Sequence, residues 1–336
     1  MRVLTPQKVD LLLDKKDWRV LQEIVDNIRQ PVSQIAKTTL LSRQSVEYRL
    51  KQLQEKGLLT GSRTVINVQK LGYRSYHVFL EVHTPSEEKK ILVLATKADF
   101  VNAIIIYSGK YNLEISIQAR TEEEFLEYYN RLCSNVRVRN DFILIILDTL
   151  VSQILPSRYF PQLGKKKTTE ELPSKTSKDL LNTDATDLRI LFALSQEALR
   201  SNISLAKELG VSKDTIQYRI RKLEEHRYIQ GYRPVVNFAA LGLTINTLLI
   251  KVNSLPQAAE FEKHLRAHGA VLWAAKVLGY YNYLVYVVSK NIDEFHEVIN
   301  GMKEQFDDVI KTYEILFAFE ELKYNFMAES IVKREK

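Results

Sequence analysis

Residues 210–223, GVSKDTIQYRIRKL, contain the features that decide the fold of this chain. Gly210 allows a sharp turn at little steric cost, and Ser212 is a favourable residue for capping a following helix. The apolar positions that come next have the spacing of one helical face: Ile216, Ile220 and Leu223. A short apolar helix, which includes Leu205 and Leu209, precedes the glycine. The stretch therefore predicts a helix-turn-helix motif.

The same pattern occurs 170 residues earlier, in residues 40–53, LLSRQSVEYRLKQL. Identical residues share this offset along most of both halves, and these pairs include Asp14/Asp184, Arg19/Arg189, Ser42/Ser212, Tyr48/Tyr218, Arg63/Arg233, Asn67/Asn237, Gly109/Gly279 and Phe125/Phe295. One constant offset over more than a hundred residues indicates that a pair of domains was duplicated, because solenoid repeats have much shorter periods.

Three helices followed by an extended stretch are predicted at the start of each copy. In the first copy, apolar residues recur at helical spacing from Trp18 to Ile28, Pro31 interrupts the pattern, and Ser42 is placed to cap the third helix. Gly57 ends that helix, and a β-ribbon is expected to follow. This order predicts winged helix-turn-helix domains at residues 8–68 and 182–238.

The third helix of each copy is the predicted DNA-reading surface, because its basic and amide side chains lie off the apolar stripe. Such side chains suit major-groove base edges and phosphates. Arg49 and Arg219 are predicted phosphate contacts, as are Arg63 and Arg233 on the wings. The full predicted set is Arg43, Gln44, Glu47, Tyr48, Arg49, Lys51, Arg63, Lys213, Asp214, Gln217, Tyr218, Arg219, Arg221 and Arg233. Ordinary solvated helix faces, or a protein-docking winged helix, are the alternatives.

The second part of each copy has the β-α-β-β-α-β pattern of a ferredoxin-like domain, at residues 72–153 and 242–326. One face of each sheet is expected to pack on two helices. The other face is too apolar to remain in water, so it should cover a sister sheet in the same chain, in another chain, or both. The predicted fold class is α+β, with two winged helix-turn-helix and two ferredoxin-like domains in tandem.

A linker is predicted at residues 154–181, which carry three prolines and the run Lys165-Lys166-Lys167. The lysines could contact DNA phosphates, although a solvated tether explains them more simply.

With these motifs in place, the chain resembles the Lrp/AsnC family of regulators, and the resemblance covers nearly the whole chain twice. Residues 184–191, 210–223, 229–232 and 279–282 carry it in the second copy, whereas the first copy has Thr39-Leu40-Leu41 in place of the usual glycine turn. Members of this family pair through the ferredoxin-like domain and often bind amino acids near the dimer interface.

The resemblance implies an effector site at the Gly-x-Tyr-Asn hairpins, namely Gly109, Tyr111, Asn112, Gly279, Tyr281 and Asn282. The family commonly has aspartate where Asn112 and Asn282 stand, which weakens the case for an amino acid. The alternative is a tight hairpin that needs glycine and asparagine for positive φ.

Composition argues against several other classes of protein. The chain has 336 residues and a net charge of +7, and no segment approaches the ~20 apolar residues that span a bilayer. Residues 1–6 lack the apolar core of a secretory signal, so a cytoplasmic protein without a membrane partner is expected. Cys133 is the single cysteine, and the six histidines suggest no metal site. No metal, cofactor or catalytic residue is predicted.

The function predicted from the sequence is a sequence-specific, DNA-binding transcription regulator with double-stranded DNA as its partner. It would be modulated by a small molecule such as an amino acid, and it would form an intramolecular pseudo-dimer or a homo-oligomer through the ferredoxin-like sheets. Two alternatives stay open. One is a haem-biosynthesis enzyme resembling sirohaem decarboxylases, which would need histidine and arginine side chains around a tetrapyrrole pocket. The other is an adaptor that does not bind DNA.

Overall fold

A computed structural model describes residues 11–160, 181–254 and 258–334 of the chain. The first half contains α1 (Lys15–Asp26), α2 (Val32–Thr39), α3 (Arg43–Glu55), β1 (Leu59–Ile66), β2 (Arg74–Val82), α4 (Pro85–Lys97), β3 (Val101–Ser108), β4 (Leu113–Ala119), α5 (Glu122–Cys133) and β5 (Val138–Ser152). The second half repeats them as α6 (Ala185–Gln196), α7 (Asn202–Leu209), α8 (Lys213–Glu225), β6 (Ile229–Val236), β7 (Thr244–Val252), α9 (Ala259–Ala267), β8 (Val271–Leu278), β9 (Tyr283–Ser289), α10 (Ile292–Gln305) and β10 (Ile310–Tyr324), followed by α11 (Ser330–Lys333). The α+β class and the tandem arrangement are confirmed.

Each three-helix unit consists of capped helices around a small apolar core. The carboxylate of Asp14 caps α1 by accepting hydrogen bonds from the backbone N–H groups of Lys16 and Asp17, both at 2.7 Å. Ser42 caps α3 as predicted, since its hydroxyl accepts from the Ser45 N–H at 3.1 Å. Matching caps at Asp184 and Ser212 begin α6 and α8. The inward stripe of α8, Ile216, Ile220 and Leu223, is buried as predicted, and on α3 Val46 and Leu53 are buried while Leu50 is half-buried.

The strand after each three-helix unit pairs with its counterpart in the other copy. β1 and β6 form a two-stranded antiparallel ribbon in which Arg63 lies opposite Arg233. Each helical unit packs on the strand of its sister, α1 against β6 and α6 against β1. The expectation of a separate wing in each copy is therefore wrong: the two helix-turn-helix units share one ribbon and are intertwined.

The eight strands of the two β-α-β-β-α-β units close into one barrel, in the order β10-β3-β4-β2-β5-β8-β9-β7. The two 15-residue strands join the copies, because β5 pairs with β8 and β10 pairs with β3. The ferredoxin-like strand order is retained within each copy. Of the partners left open by the sequence, the structure selects the sister sheet of the same chain, joined edge to edge. A closed barrel has no free strand edge.

Helices α4 and α5 cover the outside of the first sheet, and α9 and α10 cover the second, each pair with its own apolar core. The inner faces of both sheets meet in a larger core that also includes α1 and the start of β1. The barrel and the helix-turn-helix pair therefore share packed side chains.

Residues 154–160, which the sequence assigns to the linker, pack on the second copy. Tyr159 is buried, and its hydroxyl donates a hydrogen bond to the Val288 carbonyl at 2.7 Å. Trp18 contacts the ring of Phe160 edge-on at 5.9 Å. Ordered packing therefore continues past residue 154, and the three lysines at 165–167 lie outside the described residues. No described helix is both long enough and apolar enough to cross a bilayer.

Candidate nucleic-acid interface and central cavity

Helices α3 and α8 turn the faces predicted to read DNA toward solvent. The predicted side chains that are exposed are Arg43, Gln44, Glu47, Tyr48 and Lys51 on α3, and Lys213, Asp214, Gln217, Tyr218 and Arg221 on α8. Tyr48 is 63% exposed and Tyr218 is 52% exposed, so each helix also presents an aromatic ring at the same position. Because the apolar stripes of both helices face the core, the cationic and amide groups are accessible to solvent.

Arg49 and Arg219 do not belong to this exposed surface. The Arg219 guanidinium Nη1 donates to both carboxylate oxygens of Asp184, at 2.9 and 2.8 Å, and to Asp187 at 2.9 Å. Arg49 makes the same contacts with Asp14 and Asp17. Burial opposes these ion pairs, yet the aspartates raise the pKa of each arginine; the pKa of Asp14 and of Asp184 is lowered by the backbone N–H groups that they cap and then by the arginine. The structure assigns both arginines to fastening the recognition helix onto the cap of α1 or α6.

Arg63 and Arg233 are not on exposed wings either, because the strands that carry them form the central ribbon. Arg63 Nη1 donates to the Gln196 carbonyl at 2.5 Å, and its Nε donates to the Tyr324 carbonyl at 3.2 Å. Arg233 Nη1 donates to the Ser152 hydroxyl of β5 at 2.7 Å. Burial lowers the pKa of both guanidinium groups. The prediction that they form wing contacts with phosphates is wrong in its geometry.

A cavity of about 470 Å³ lies where the ribbon meets the barrel. Its walls come from β1 and the residues after it, from β2 to β6, from β8 and β9, and from the end of β10. The charged side chains that line it are Lys70, His77, Asp148, Arg227, Arg233 and Glu321. The sequence did not predict this cavity, since its walls combine residues more than 200 positions apart.

A buried network surrounds Glu114 beside this cavity. One carboxylate oxygen contacts His77 Nδ1 at 2.5 Å and accepts from the Tyr286 hydroxyl at 2.7 Å, while the other accepts from the Tyr107 hydroxyl. Burial and the nearby carboxylate raise the pKa of Tyr107 well above its usual value. The His77 ring stacks on Trp273. Glu114 thereby fixes the orientation of the histidine that lines the cavity.

The Gly-x-Tyr-Asn hairpins connect neighbouring strands tightly. Asn112 Oδ1 accepts from the Val82 N–H at 2.8 Å, and Asn282 Oδ1 accepts from the Val252 N–H at 3.0 Å. Tyr111 is 6% exposed and Tyr281 is 7% exposed.

Gly109 and Gly279 adopt φ of 148° and 150°, whereas neither asparagine has positive φ. Glycine alone therefore supplies the positive φ that the hairpin needs. The asparagines instead hold the end of the adjacent strand. The alternative explanation of these motifs is right for glycine and wrong for asparagine.

The surroundings of Cys133, His264 and His268 indicate structural rather than chemical roles. Burial raises the pKa of the Cys133 thiol to about 11, which keeps it protonated. The rings of His264 and His268 lie 5.2 Å apart with a tilt of 48°, and the part of the chain that the structure describes contains no cluster of ligands suited to a metal ion.

Two family models match the chain. One, described as winged helix-turn-helix DNA-binding, matches residues 13–60 and again residues 183–230. The other, described as the Lrp/AsnC ligand binding domain, matches residues 247–327.

Curated relatives resemble one half of the chain at a time. The chain is 34% identical over 119 residues to the proline dehydrogenase transcriptional activator of Rhodobacter capsulatus, which covers 34% of this chain and 77% of that protein. It is 32% identical over 119 residues to the regulator LrpA of Pyrococcus horikoshii, covering 34% of this chain and 82% of the relative.

One solved structure resembles the chain over almost its full length. The sirohaem decarboxylase NirDL superposes with a TM-score of 0.64 and 15% sequence identity, covering 96% of this chain and 98% of that one. At this identity the similarity shows a shared architecture of two helix-turn-helix units on paired β-α-β-β-α-β units.

Proposed function

The chain belongs to the Lrp/AsnC family of transcription regulators, and we propose from this premise that its two helix-turn-helix units bind double-stranded DNA as one body. One observation carries the proposal: α3 and α8 both expose cationic and amide side chains, while a shared ribbon connects the units that hold them. A homodimer supplies two recognition helices from two chains. This chain would supply both by itself. The helix-turn-helix domains would span residues 8–68 and 182–238, and the ferredoxin-like domains would span residues 72–153 and 242–326.

The two recognition surfaces differ in sequence. The exposed side chains at equivalent positions are Arg43 and Lys213, Gln44 and Asp214, and Glu47 and Gln217. Direct readout depends on which donors and acceptors meet each base edge, so the two helices would prefer different half-sites. An asymmetric operator would follow, whereas identical subunits favour palindromes.

Salt-dependent binding to duplex DNA tests the proposal, with a matched pair of variants on α8. Arg221 is exposed, whereas Arg219 two residues earlier is held by Asp184 and Asp187. We expect Arg221→Gln to reduce the slope of log affinity against log salt by about 0.9, one phosphate contact, without changing the thermal midpoint. Arg219→Gln should lower the midpoint, because it removes the contacts that attach α8 to the α6 cap, at a cost of about 1 kcal/mol.

The same pair exists on α3, where Lys51 is exposed and Arg49 is paired. A slope that changes with Arg221→Gln but not with Lys51→Gln would limit DNA binding to the second copy and contradict joint binding. Affinity that does not depend on salt at all would favour the protein-docking adaptor.

A small-molecule effector, such as an amino acid, is part of the proposal. The hairpin residues offered for it by the family resemblance are already used, because Asn112 and Asn282 hold strand ends and both tyrosines are buried. A test is equilibrium dialysis with the twenty amino acids and with Tyr281→Phe, which deletes one hydroxyl and retains the ring. Unchanged binding in this variant would place the effector elsewhere in the molecule.

We also propose that the chain acts by binding rather than by catalysis, and that it works in the cytoplasm, where DNA is accessible in a prokaryotic cell. The relatives matched at 32–34% identity are named as regulators. The enzyme alternative is favoured by the whole-chain resemblance to a sirohaem decarboxylase and by the presence of His77 and Arg233 in one cavity. Absorbance spectra with an iron tetrapyrrole separate the two: stoichiometric uptake accompanied by release of carbon dioxide would contradict the proposal.

A further inference from the structure

The cavity between ribbon and barrel contains an arginine that forms no ion pair among the residues that the structure describes. Arg233 donates to the uncharged Ser152 hydroxyl at 2.7 Å, and burial lowers the pKa of its guanidinium. Arg233 is half-buried, and a cation partly removed from water is stabilised by an anionic partner. The planar guanidinium has further N–H donors suited to a carboxylate or a phosphate.

A second cation reaches the same cavity from a strained position. Arg227 has φ of 59°, in the left-handed region, where the equivalent residue of the first copy is Gly57 with φ of 71°. A non-glycine residue in this region costs about 1–2 kcal/mol. Residues held in such conformations cluster at functional sites. Glycine would fit this backbone conformation better than arginine. Arg227 nevertheless occupies the position and lines the cavity.

Two carboxyl groups also line the cavity. Asp148 lines it from β5, and burial raises the pKa of this carboxyl group. Glu321 also lines it, and its charge partly opposes the lowering of the Arg63 pKa by burial, so this carboxylate is near the other ribbon arginine. A ligand with an anionic group at Arg233 and hydroxyl or amino groups that reach Asp148 would match this lining.

Duplication should have produced a second cavity of the same kind, but the equivalent positions are closed by apolar side chains. Gln69, Lys70, Ser75 and Gln118 of the first copy correspond to Ala239, Ala240, Ile245 and Val288 of the second. These four residues are buried, with exposures of 2%, 6%, 2% and 0%. The Tyr159 hydroxyl also bonds to the Val288 carbonyl. At these four positions the first copy is polar and lines the cavity, although Lys70 and Gln118 are buried as well, and the second copy is apolar core.

We propose that this cavity is a single binding site for a small organic anion, a carboxylate or phosphate monoester that also carries hydrogen-bond donors. Its 470 Å³ lies within the range of sites for drug-sized molecules, roughly 300–1,000 Å³. The ligand contacts both the ribbon, through Arg233, and the barrel, through β5. This inference rests on the small-molecule effector of the proposed function and gives that effector a site and a charge; because the test below uses no DNA, its failure would leave DNA binding untouched.

The test is calorimetric titration and thermal unfolding of the full chain, without DNA, against citrate, L-glutamate and adenosine 5′-monophosphate, with ribose as the neutral control. We expect at least one anion to bind at one molecule per chain and to raise the midpoint by about 5 °C near saturation. A response to citrate or glutamate identifies a carboxylate ligand, and a response to the nucleotide alone identifies a phosphate. No response to any anion, or two molecules per chain, overturns the proposal.

Arg233→Met provides the decisive variant, because it keeps an unbranched side chain and removes the charge. Binding should weaken at least tenfold, while the midpoint without ligand stays equal or rises, since an unpaired, half-buried charge is lost. Arg63→Met, on the same ribbon but outside the cavity lining, should retain the affinity. Gln118→Val introduces the residue that closes the sister position and should also abolish binding. Affinity that survives both Arg233→Met and Gln118→Val contradicts the site.

Discussion

Leu40 has φ of 57°, a left-handed backbone conformation that side chains with a Cβ adopt at a cost. It ends α2 where the second copy has Gly210, with φ of 69°. Its side chain is 86% exposed, so little packing offsets the strain. The first copy keeps the geometry of the helix-turn-helix after losing the residue best suited to the turn.

Replacing Leu40 by glycine should therefore stabilise the protein. Release of about 1–2 kcal/mol of strain is partly cancelled by the greater chain entropy of glycine, leaving a gain of about 0.5 kcal/mol in the free energy of unfolding. Gly210→Ala is the matched control and should lose about 1 kcal/mol. Chemical unfolding measures both, and a loss of stability in Leu40→Gly would show that the leucine has a packing role.

His268 should make stability depend on pH. Burial, His264 and Arg158 lower its pKa to about 4, and its Nδ1 accepts from the Ala270 N–H at 3.2 Å, which requires a neutral ring. A histidine in the unfolded chain titrates near 6.5. Between pH 6.5 and pH 4 the unfolded state therefore binds a proton that the folded state does not. Stability is retained above this window and falls as the pH decreases through it.

Between pH 7 and pH 4.5 the free energy of unfolding should fall by about 1–2 kcal/mol less in His268→Gln than in the parent protein. This value is reduced to allow for the partial exposure of the ring. Urea unfolding at the two pH values measures the effect, with exposed His296→Gln as the control. Equal pH dependence in the variant and the parent would show that His268 does not carry it.

At the scale of elements, the sequence predicted what local pattern determines. Ser42 and Ser212 begin the two recognition helices as predicted, because caps and 3.6-residue periodicity act within a few residues. The partner of β1 was not predictable in this way. Its apolar and polar alternation fits a hairpin in its own copy as well as a ribbon with β6, about 170 residues away.

The same limit applies to the site residues. The exposed faces of α3 and α8 follow from the buried stripe on each helix, so they could be predicted. Arg49 and Arg219 could not be separated from them, because the aspartates that hold them lie 35 and 32 residues earlier, in another helix. Charged residues at helical spacing indicate which side chains point away from the core. They do not indicate whether a side chain on a neighbouring element binds them.

The hairpin between β8 and β9 should be more sensitive to substitution than its counterpart between β3 and β4. A Cβ on Gly279 would lie 2.5 Å from the Ile143 carbonyl oxygen, whereas one on Gly109 would meet only Leu316 Cδ2 at 3.3 Å. The φ values are nearly equal, so the backbone cost is shared. We expect Gly279→Ala to destabilise by about 2 kcal/mol more than Gly109→Ala, by thermal unfolding. Equal losses would mean that β5 shifts to accommodate the added methyl group.

At the scale of the molecule, one chain completes what paired subunits would otherwise build. The barrel closes between β10 and β3 and between β5 and β8, and the ribbon joins the two helix-turn-helix units above it. Duplication within one chain also frees the halves to diverge. The recognition helices differ in their exposed residues, and the cavity remains polar at only one of two related positions.

Selection of bound duplexes from a random library by the full chain tests most directly whether two unequal recognition helices act as one unit. The expected result is a motif with two different half-sites, one of which loses its sequence preference in Arg43→Ala/Gln44→Ala and the other in Lys213→Ala/Gln217→Ala. A strictly palindromic motif, a single half-site, or no enriched motif would contradict the account.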